Sequence, residues 1–275
     1  MSVLTAVLLG LVQGIAEFLP ISSSGHLALL QNWFHLEEAD MFFDVLLHIG
    51  TLLSVLLVYK RDIRAVVRGI LGLIGIGRDR GRTTRKNMDR RRMAVFIIAG
   101  SLPLVLALPV RGALEKLYQN TAMIGAMLMV NGAILYLSDR LTSGARGQRD
   151  ASVLDALLVG VGQAVAVIPG ISRSGVTISA GMLCGFRRSF VVRFSFLLSV
   201  PAVITTALVG FAGAIQGGID VTQMPVYLCG MFSAFISGYF SIRLLRWVAA
   251  RSNLGGFAYY CWGAGIVALI LSLVA

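Results

Sequence analysis

The chain has 275 residues, of which 57% are hydrophobic and 13% are charged, and its formal net charge is +11. Soluble domains carry about 25% charged and about 45–50% apolar residues, so the composition excludes both a soluble globular domain and a disordered chain. Only three cysteines are present, which excludes a disulfide scaffold. The sequence therefore predicts an all-α polytopic membrane protein.

Membrane-spanning helices need about 20 mostly apolar residues. The stretches that meet this requirement are 41–59, 93–110, 121–138, 190–214, 225–247 and 256–274. Two further apolar regions, about 2–32 and about 152–186, are interrupted near their centres by the polar segments PISSSGH and PGISRSG. Broken helices at membrane depth are tolerated only inside protein or along a wet cavity. We therefore predict two re-entrant helix hairpins, with two kinked but ordinary spans as the alternative.

Basic residues predict which side of the membrane each loop occupies. The linker 60–92 is dense in arginine and lysine, and the positive-inside rule therefore places it in the cytoplasm. Counting the predicted crossings from this linker brings the other basic turns to the same side. The net charge is thus a signal of topology, and we expect membrane lipids as partners and no nucleic acid.

The chain contains an internal repeat at a spacing of 150 residues, because 10–25 align with 160–175 without a gap. The identical pairs are Gly10/Gly160, Gln13/Gln163, Ala16/Ala166, Ile21/Ile171, Ser22/Ser172, Ser24/Ser174 and Gly25/Gly175. Each half, 1–150 and 151–275, holds one hairpin and three predicted crossings, and an odd number of crossings inverts the second half. We predict two inverted-topology repeats in one membrane domain, with both hairpin tips meeting near the midplane.

The second tip has the chemistry of an oxyanion site. Gly170 ends one helix and Ser172 is a good N-cap for the next, so backbone N–H groups and the positive end of the helix dipole face the tip. Arg173 adds a guanidinium suited to bidentate phosphate contact. Further donors are expected from Ser174, Gly175 and Thr177. Phosphate or diphosphate is the expected ligand, and the alternative is an ordinary capped helix whose arginine extends toward the membrane surface.

The first tip repeats the serine cap and adds hydroxyls and an imidazole, with Ser22, Ser23, Ser24 and His26. A lone histidine in an apolar chain is usually a packing residue. Here the imidazole follows a serine cluster by one helical turn, so it can reach a bound anion or a neighbouring hydroxyl.

Gln13 and Glu17 lie four residues apart, and therefore on one face of the helix before the first tip. A carboxylate at this depth needs a partner, either Arg173 or a Mg²⁺ ion held between Glu17 and phosphate oxygens. In the second half Gln163 persists, but Val167 stands where the first half has the carboxylate. The two halves thus divide the predicted chemistry between them.

These residues also carry a resemblance. The segments QGIAEFLPISSSGH, ending at His26, and PGISRSGVT, ending at Thr177, resemble the two signature motifs of the BacA-type undecaprenyl-diphosphate phosphatases. The similarity extends over essentially the whole chain. It implies hydrolysis of undecaprenyl diphosphate to undecaprenyl phosphate and inorganic phosphate, which recycles the carrier lipid for peptidoglycan synthesis and confers resistance to bacitracin.

The resemblance also implies a set of functional residues. By position, the family's essential residues match Glu17, His26 and Arg173, and its motif hydroxyls match Ser23, Ser172 and Thr177. Some relatives carry Glu at the position of Gln13, so the neutral amide here argues against a metal cage of two carboxylates. The family implies a divalent cation, Mg²⁺ or Ca²⁺, the bacterial inner (plasma) membrane and a site open to the outer face; a homodimer stays open.

The site prediction combines both motifs. The predicted catalytic residues are Glu17, Ser23, His26 and Arg173, with Glu17 also a metal ligand, and the predicted substrate-binding residues are Gln13, Ser22, Ser24, Gly170, Ser172, Ser174, Gly175 and Thr177. Either Ser23 attacks the phosphorus with His26 as its base, or His26 attacks directly. The alternative function is a transporter or flippase of an anionic isoprenoid lipid, because inverted repeats are typical of transporters. A structural scaffold is a third class.

Overall fold

The computed structural model describes residues 1–33, 41–76, 84–107, 109, 114–142, 144–217, 220–251 and 253–274. The regular elements of these residues are helical. They are α1 (Val3–Phe18), α2 (Ser23–Trp33), α3 (Met41–Val58), α4 (Lys60–Leu73), α5 (Arg85–Ala107), α6 (Thr121–Leu141), α7 (Val153–Val165), α8 (Arg173–Leu183), α9 (Arg188–Gly217), α10 (Met224–Arg251) and α11 (Gly256–Val274). Short 3₁₀ turns precede α6 and α10 at Glu115–Gln119 and Val221–Gln223.

Within the described residues, five helices are long and apolar enough to cross a membrane. They are α3, α6, α9, α10 and α11, which confirms five of the predicted spans. The sixth prediction, 93–110, falls on α5, which does not meet the same criterion. Arg90, Arg91 and Arg92 lie within every 18-residue stretch of this helix, and its apolar part also contains Pro103. Part of the predicted basic linker, 77–83, lies outside the described residues.

The two interrupted regions form helix–turn–helix units whose boundaries repeat at the 150-residue spacing. The helix α1 begins at Val3 and α7 at Val153, while α2 ends at Trp33 and α8 at Leu183. The caps repeat as well. The Ser2 Oγ accepts from the backbone N–H of the residue three positions on, at 3.1 Å, and the Ser152 Oγ does the same at 3.1 Å. Equivalent sequence signals therefore produce equivalent local structure.

Small residues let each unit pack closely against a long helix of the other half. The helix α1 packs on α10, where Gly10 faces the carbonyl of Gly230, and α7 packs on α5, where Gly160 faces the carbonyl of Gly100. The helices α3 and α9 pack against each other, as do α6 and α11. Close backbone approach of this kind provides the dispersion contacts that hold membrane helices together.

Substituting Gly10 with alanine is expected to destabilise the protein. A Cβ at this position would lie 2.2 Å from the Gly230 carbonyl oxygen, so the two helices would have to separate. Overpacking of this kind costs about 1–3 kcal/mol, which thermal unfolding of the detergent-solubilised protein would measure. Gly263→Ala is the matched control, because a Cβ on this residue of α11 meets nothing within 4 Å. An equal unfolding midpoint for the two variants would contradict the close contact.

Candidate active site

The turns that join α1 to α2 and α7 to α8, called here the first and second tips, lie in direct contact. Asn131 of α6 is fully buried between them. Its Nδ2 donates to the Pro20 carbonyl at 3.0 Å, and its Oδ1 accepts from the Ser172 backbone N–H at 3.0 Å. The Ser174 hydroxyl also donates to the Leu19 carbonyl at 3.2 Å. The structure therefore brings together two segments that are 150 residues apart in the chain.

Both tips have the same serine cap. The Ser22 Oγ accepts from the Gly25 backbone N–H at 3.2 Å, and the Ser172 Oγ accepts from the Gly175 backbone N–H at 3.1 Å. Gly170, with φ +92°, occupies the left-handed backbone region that favours glycine. Ser22 adopts φ +72°, an uncommon conformation for a residue with a Cβ. Backbone strain of this kind persists where surrounding contacts hold it in place.

The charged residues of the two tips form one buried cluster. Arg173 makes an ion pair with Glu17, whose side chain is only 6% exposed. The Ser23 hydroxyl donates to the Glu17 Oε2 at 2.6 Å, and the Gln13 Nε2 donates to the same oxygen at 3.1 Å. The guanidinium also donates to the Ser199 carbonyl at 3.3 Å. Of the two partners predicted for the buried carboxylate, the structure therefore shows Arg173.

A cavity of about 560 Å³ lies against this cluster. This volume falls within the range of small-molecule sites, about 300–1,000 Å³. The predicted residues that line it are Gln13, Glu17, Ser23, Ser24, Ser172 and Arg173. Its walls also include apolar side chains of α2, α3 and α9, such as Leu27, Val45 and Val203. The cavity thus combines a polar end at the two tips with an apolar wall.

His26 lies outside the set of cavity-lining residues. The α2 residues that line the cavity recur at positions 23, 24, 27, 28 and 31, and His26 lies on the opposite side of that helix. Its Nδ1 lies 2.7 Å from the Ser22 carbonyl oxygen, and its Nε2 lies 2.9 Å from the Tyr260 hydroxyl. The two rings stack, with centroids 5.6 Å apart. The imidazole therefore contacts the first tip on the side that faces away from the cavity.

Other predicted binding residues contact protein atoms within the tips. The Thr177 Oγ1 donates to the Arg173 carbonyl at 2.8 Å and lies 2.6 Å from the Ser195 hydroxyl. A Cβ on Gly25 would lie 3.0 Å from the Gly170 Cα, so the two glycines allow the tips to touch. Asn131 and Ser195 were not found by sequence reasoning. A polar residue within a predicted span is the signal that could have identified Asn131.

The residues present fit a divalent cation that is held jointly by protein oxygens and phosphate oxygens. Among the residues that the structure describes, no group of three or more His, Cys, Asp or Glu side chains could hold a metal. Both oxygens of Glu17 already accept from protein donors. Mg²⁺ commonly binds to one or two carboxylates together with substrate phosphates, and this cavity supplies Glu17 and the Gln13 Oε1.

The fold and the site define a multi-pass helical membrane protein with a buried arginine–carboxylate–serine cluster between two helix tips. A family model described as "Bacitracin resistance protein BacA" matches residues 6–267. The chain therefore belongs to the BacA family.

Named relatives are similar to the chain over nearly its full length. An undecaprenyl-diphosphatase of Methanosphaera stadtmanae is 41% identical, covering 100% of this chain and 99% of the relative. Proteins of the same name from Carboxydothermus hydrogenoformans and Syntrophotalea carbinolica are 36% and 39% identical. The alignments cover 97% and 96% of this chain, and 96% and 97% of the respective relatives.

Proposed function

We propose that the chain is an integral membrane phosphatase that hydrolyses undecaprenyl diphosphate to undecaprenyl phosphate and inorganic phosphate. The observation that carries the proposal is the Ser23–Glu17–Arg173 cluster, which borders a cavity with a polar end and an apolar wall. The names of the relatives supply the substrate. In the cell this reaction recycles the carrier lipid for peptidoglycan synthesis and confers resistance to bacitracin.

The contacts support Ser23 as the nucleophile. Its hydroxyl already donates to the Glu17 Oε2 at 2.6 Å, within the distance expected between a nucleophile and its base. As the Ser23 Oγ bonds to the terminal phosphorus, its proton passes to Glu17 and undecaprenyl phosphate leaves. Water then attacks the phosphoserine, which releases inorganic phosphate and restores the hydroxyl.

Arg173 and the capped helix starts of the two tips stabilise the charge of the diphosphate during phosphoryl transfer. Phosphoryl transfer depends mainly on positioning and on electrostatic stabilisation of this kind. A divalent cation, Mg²⁺ or Ca²⁺, would neutralise further phosphate charge when it is bound. Glu17 and Gln13 are the residues that would hold it. A loss of phosphate release after chelation, restored by added cation, tests this part of the proposal.

The same geometry supports a positioning role for His26. Its two ring nitrogens contact the Ser22 carbonyl and the Tyr260 hydroxyl, and it lies on the side of α2 away from the cavity. Ser22 has the strained backbone of the first tip and directly precedes Ser23. His26 therefore holds the tip in the conformation that points Ser23 at Glu17.

Tyr260→Phe is expected to lower kcat by about 2- to 10-fold, because it removes one hydrogen bond worth about 0.5–1.5 kcal/mol. His26→Gln should lower kcat further. In both variants the pH–rate profile should keep its shape, because a positioning residue does not supply the titrating group. If His26→Gln removes one limb of the profile while Tyr260→Phe has no effect, His26 is the base or the nucleophile.

Helix lengths and packing support the inverted repeat. The helices α1, α2, α7 and α8 have 16, 11, 13 and 11 residues, too short to span a bilayer singly. In this repeat α1, α3, α5 and α6 of the first half correspond to α7, α9, α10 and α11 of the second half. The α1–α10 contact then has its counterpart in the α7–α5 contact, and the α3–α9 and α6–α11 contacts each join two corresponding helices. This is the behaviour of halves, 1–150 and 151–275, related by a two-fold axis, each with a re-entrant hairpin and three crossings.

Several cavity-lining residues lie at helix ends, and their positions support an opening to the outer face of the inner membrane. Met41 begins α3, Leu104 lies in the last turn of α5, and Gln119 directly precedes the cap of α6. These helix ends lie away from the basic segment 60–92, which the positive-inside rule places in the cytoplasm. Substrate would thus enter from the outer leaflet, with its chain between the helices.

Phosphate release by the purified, detergent-solubilised protein tests the proposal. Wild type should release inorganic phosphate from undecaprenyl diphosphate, and Arg173→Ala should not. A transporter or flippase of an anionic isoprenoid lipid would move the lipid across vesicle membranes without releasing phosphate. Lipid movement without phosphate release by wild type would therefore replace the phosphatase proposal with that alternative.

A further inference from the structure

Two buried glutamines beside the cavity have polar atoms without partners. Gln13 is 0% and Gln163 is 2% exposed, and both line the cavity. Among the described residues, no hydrogen-bond partner reaches the Gln13 Oε1 or either amide atom of Gln163. A buried polar group without a partner is destabilising, because it has lost its hydrogen bonds to water and gained none in the protein. Residues that retain such a penalty next to a cavity are candidates for ligand contact.

These two amides occupy equivalent positions in the two halves of the chain. Gln13 and Gln163 are equivalent in the two halves, and each lies seven residues before its tip, at Pro20 and Gly170 respectively. A diphosphate is itself built from two similar phosphoryl groups joined by one bridging oxygen. A site whose halves are related by an approximate two-fold axis therefore offers one helix N-terminus to each phosphoryl group, and the unpaired Gln163 Nε2 adds a free donor on the side of the second tip.

We infer that the cavity contains two phosphate subsites, one at each tip, and that Gln163 donates from its Nε2 to the lipid-bearing phosphate at the second tip. The terminal phosphate then lies at the first tip. This inference rests on the proposed phosphatase function and assigns the orientation of its substrate.

The differences between the tips determine which phosphate reacts. The first tip has Ser23 hydrogen-bonded to Glu17, whereas the second half has Val167 at the position equivalent to Glu17. Only the phosphate at the first tip can be attacked by an activated hydroxyl. The second tip holds the leaving group through Gln163 and the N-terminus of α8, so undecaprenyl phosphate departs from there.

Binding of the two product types to Gln163→Met, measured by calorimetry, tests the inference without requiring turnover. The probes are inorganic phosphate and a short-chain isoprenyl monophosphate. We expect Gln163→Met to weaken isoprenyl monophosphate binding about 10-fold, which corresponds to about 1.4 kcal/mol, and to change phosphate binding by less than about 2-fold. Gln216→Met, at an exposed position near the end of α9, should leave both affinities unchanged.

Thermal unfolding separates ligand binding from a structural role. Because methionine removes an amide without partners, the unliganded Gln163→Met protein should unfold at the wild-type temperature or above it. A lower unfolding temperature would indicate a structural amide and overturn the inference, as would equal effects on both probes or no effect on either. Failure of wild type to release phosphate from undecaprenyl diphosphate would instead overturn the proposed function.

Discussion

Replacing Arg173 with lysine is expected to lower kcat/KM for undecaprenyl diphosphate by about 10²- to 10³-fold, the usual effect of losing one preorganised donor to a developing oxyanion. The guanidinium both pairs with Glu17 and donates to the Ser199 carbonyl, so its planar fork is fixed in place. A lysine ammonium carries the same charge but cannot form both contacts while facing a phosphate. Phosphate release in detergent, at several substrate concentrations, measures the loss.

Arg251→Lys is the matched control for this substitution. Arg251 is exposed at the end of α10, where its guanidinium lies over the Trp247 ring, 5.3 Å from the centroid. Turnover of this variant should remain at the wild-type level. If Arg173→Lys retained turnover within a few-fold of wild type, the bidentate phosphate contact proposed for Arg173 would be wrong.

Ser23→Ala is expected to have the largest effect of any single hydroxyl, with kcat reduced at least about 10³-fold. The substitution removes the oxygen proposed to bond to phosphorus and the donor that lies 2.6 Å from the Glu17 Oε2. It leaves Arg173 and both helix starts in place, so substrate binding should change less than turnover. Single-turnover phosphate release and equilibrium binding of the lipid would separate the two effects.

Ser272→Ala controls for loss of a helical serine hydroxyl, because among the described residues the partner of the Ser272 hydroxyl is the Leu269 carbonyl of its own helix. Its turnover should match that of wild type. If Ser23→Ala kept more than about a tenth of the wild-type kcat, Ser23 would not be the nucleophile, and His26 or water would take that role. Trapping a phosphoserine at position 23 by rapid acid quench is the positive result expected of wild type.

The repeat was predictable from the sequence because identical local signals recur at one spacing. A serine with a glycine three positions later forms the same Oγ to backbone N–H hydrogen bond at Ser22 and at Ser172, although the backbone is left-handed at Ser22 (φ +72°) and extended at Ser172 (φ −80°). The outer ends of the two helix–turn–helix units also repeat at the same offset. Arg173 was one of two predicted partners for the buried carboxylate of Glu17, the other being a Mg²⁺ ion, and the structure shows the pair with the arginine. These inferences depend on local chemistry and on charge pairing, both of which a single chain displays.

Side-chain direction and tertiary contacts were harder to predict from the sequence. The spacing of His26 from the cap is compatible with either side of α2, and only packing against Tyr260 of α11 determines which side it occupies. Asn131 gave a signal as a polar residue in an apolar span, but its two tip contacts depend on the placement of α6. The span predicted at 93–110 did not account for the start of its helix, because α5 begins at Arg85 and includes Arg90, Arg91 and Arg92.

Asn131 also has a mechanical consequence. One amide connects the Pro20 carbonyl to the Ser172 backbone N–H and donates to the Cys261 Sγ on α11. The separation of the two tips is thereby set by short polar contacts at the centre of the protein, while a bilayer exerts its forces on the far ends of the helices. Stretching or thinning of the surrounding lipid would therefore tilt those ends before it separates the tips, because Asn131, the Ser174–Leu19 hydrogen bond and the Glu17–Arg173 ion pair all join them.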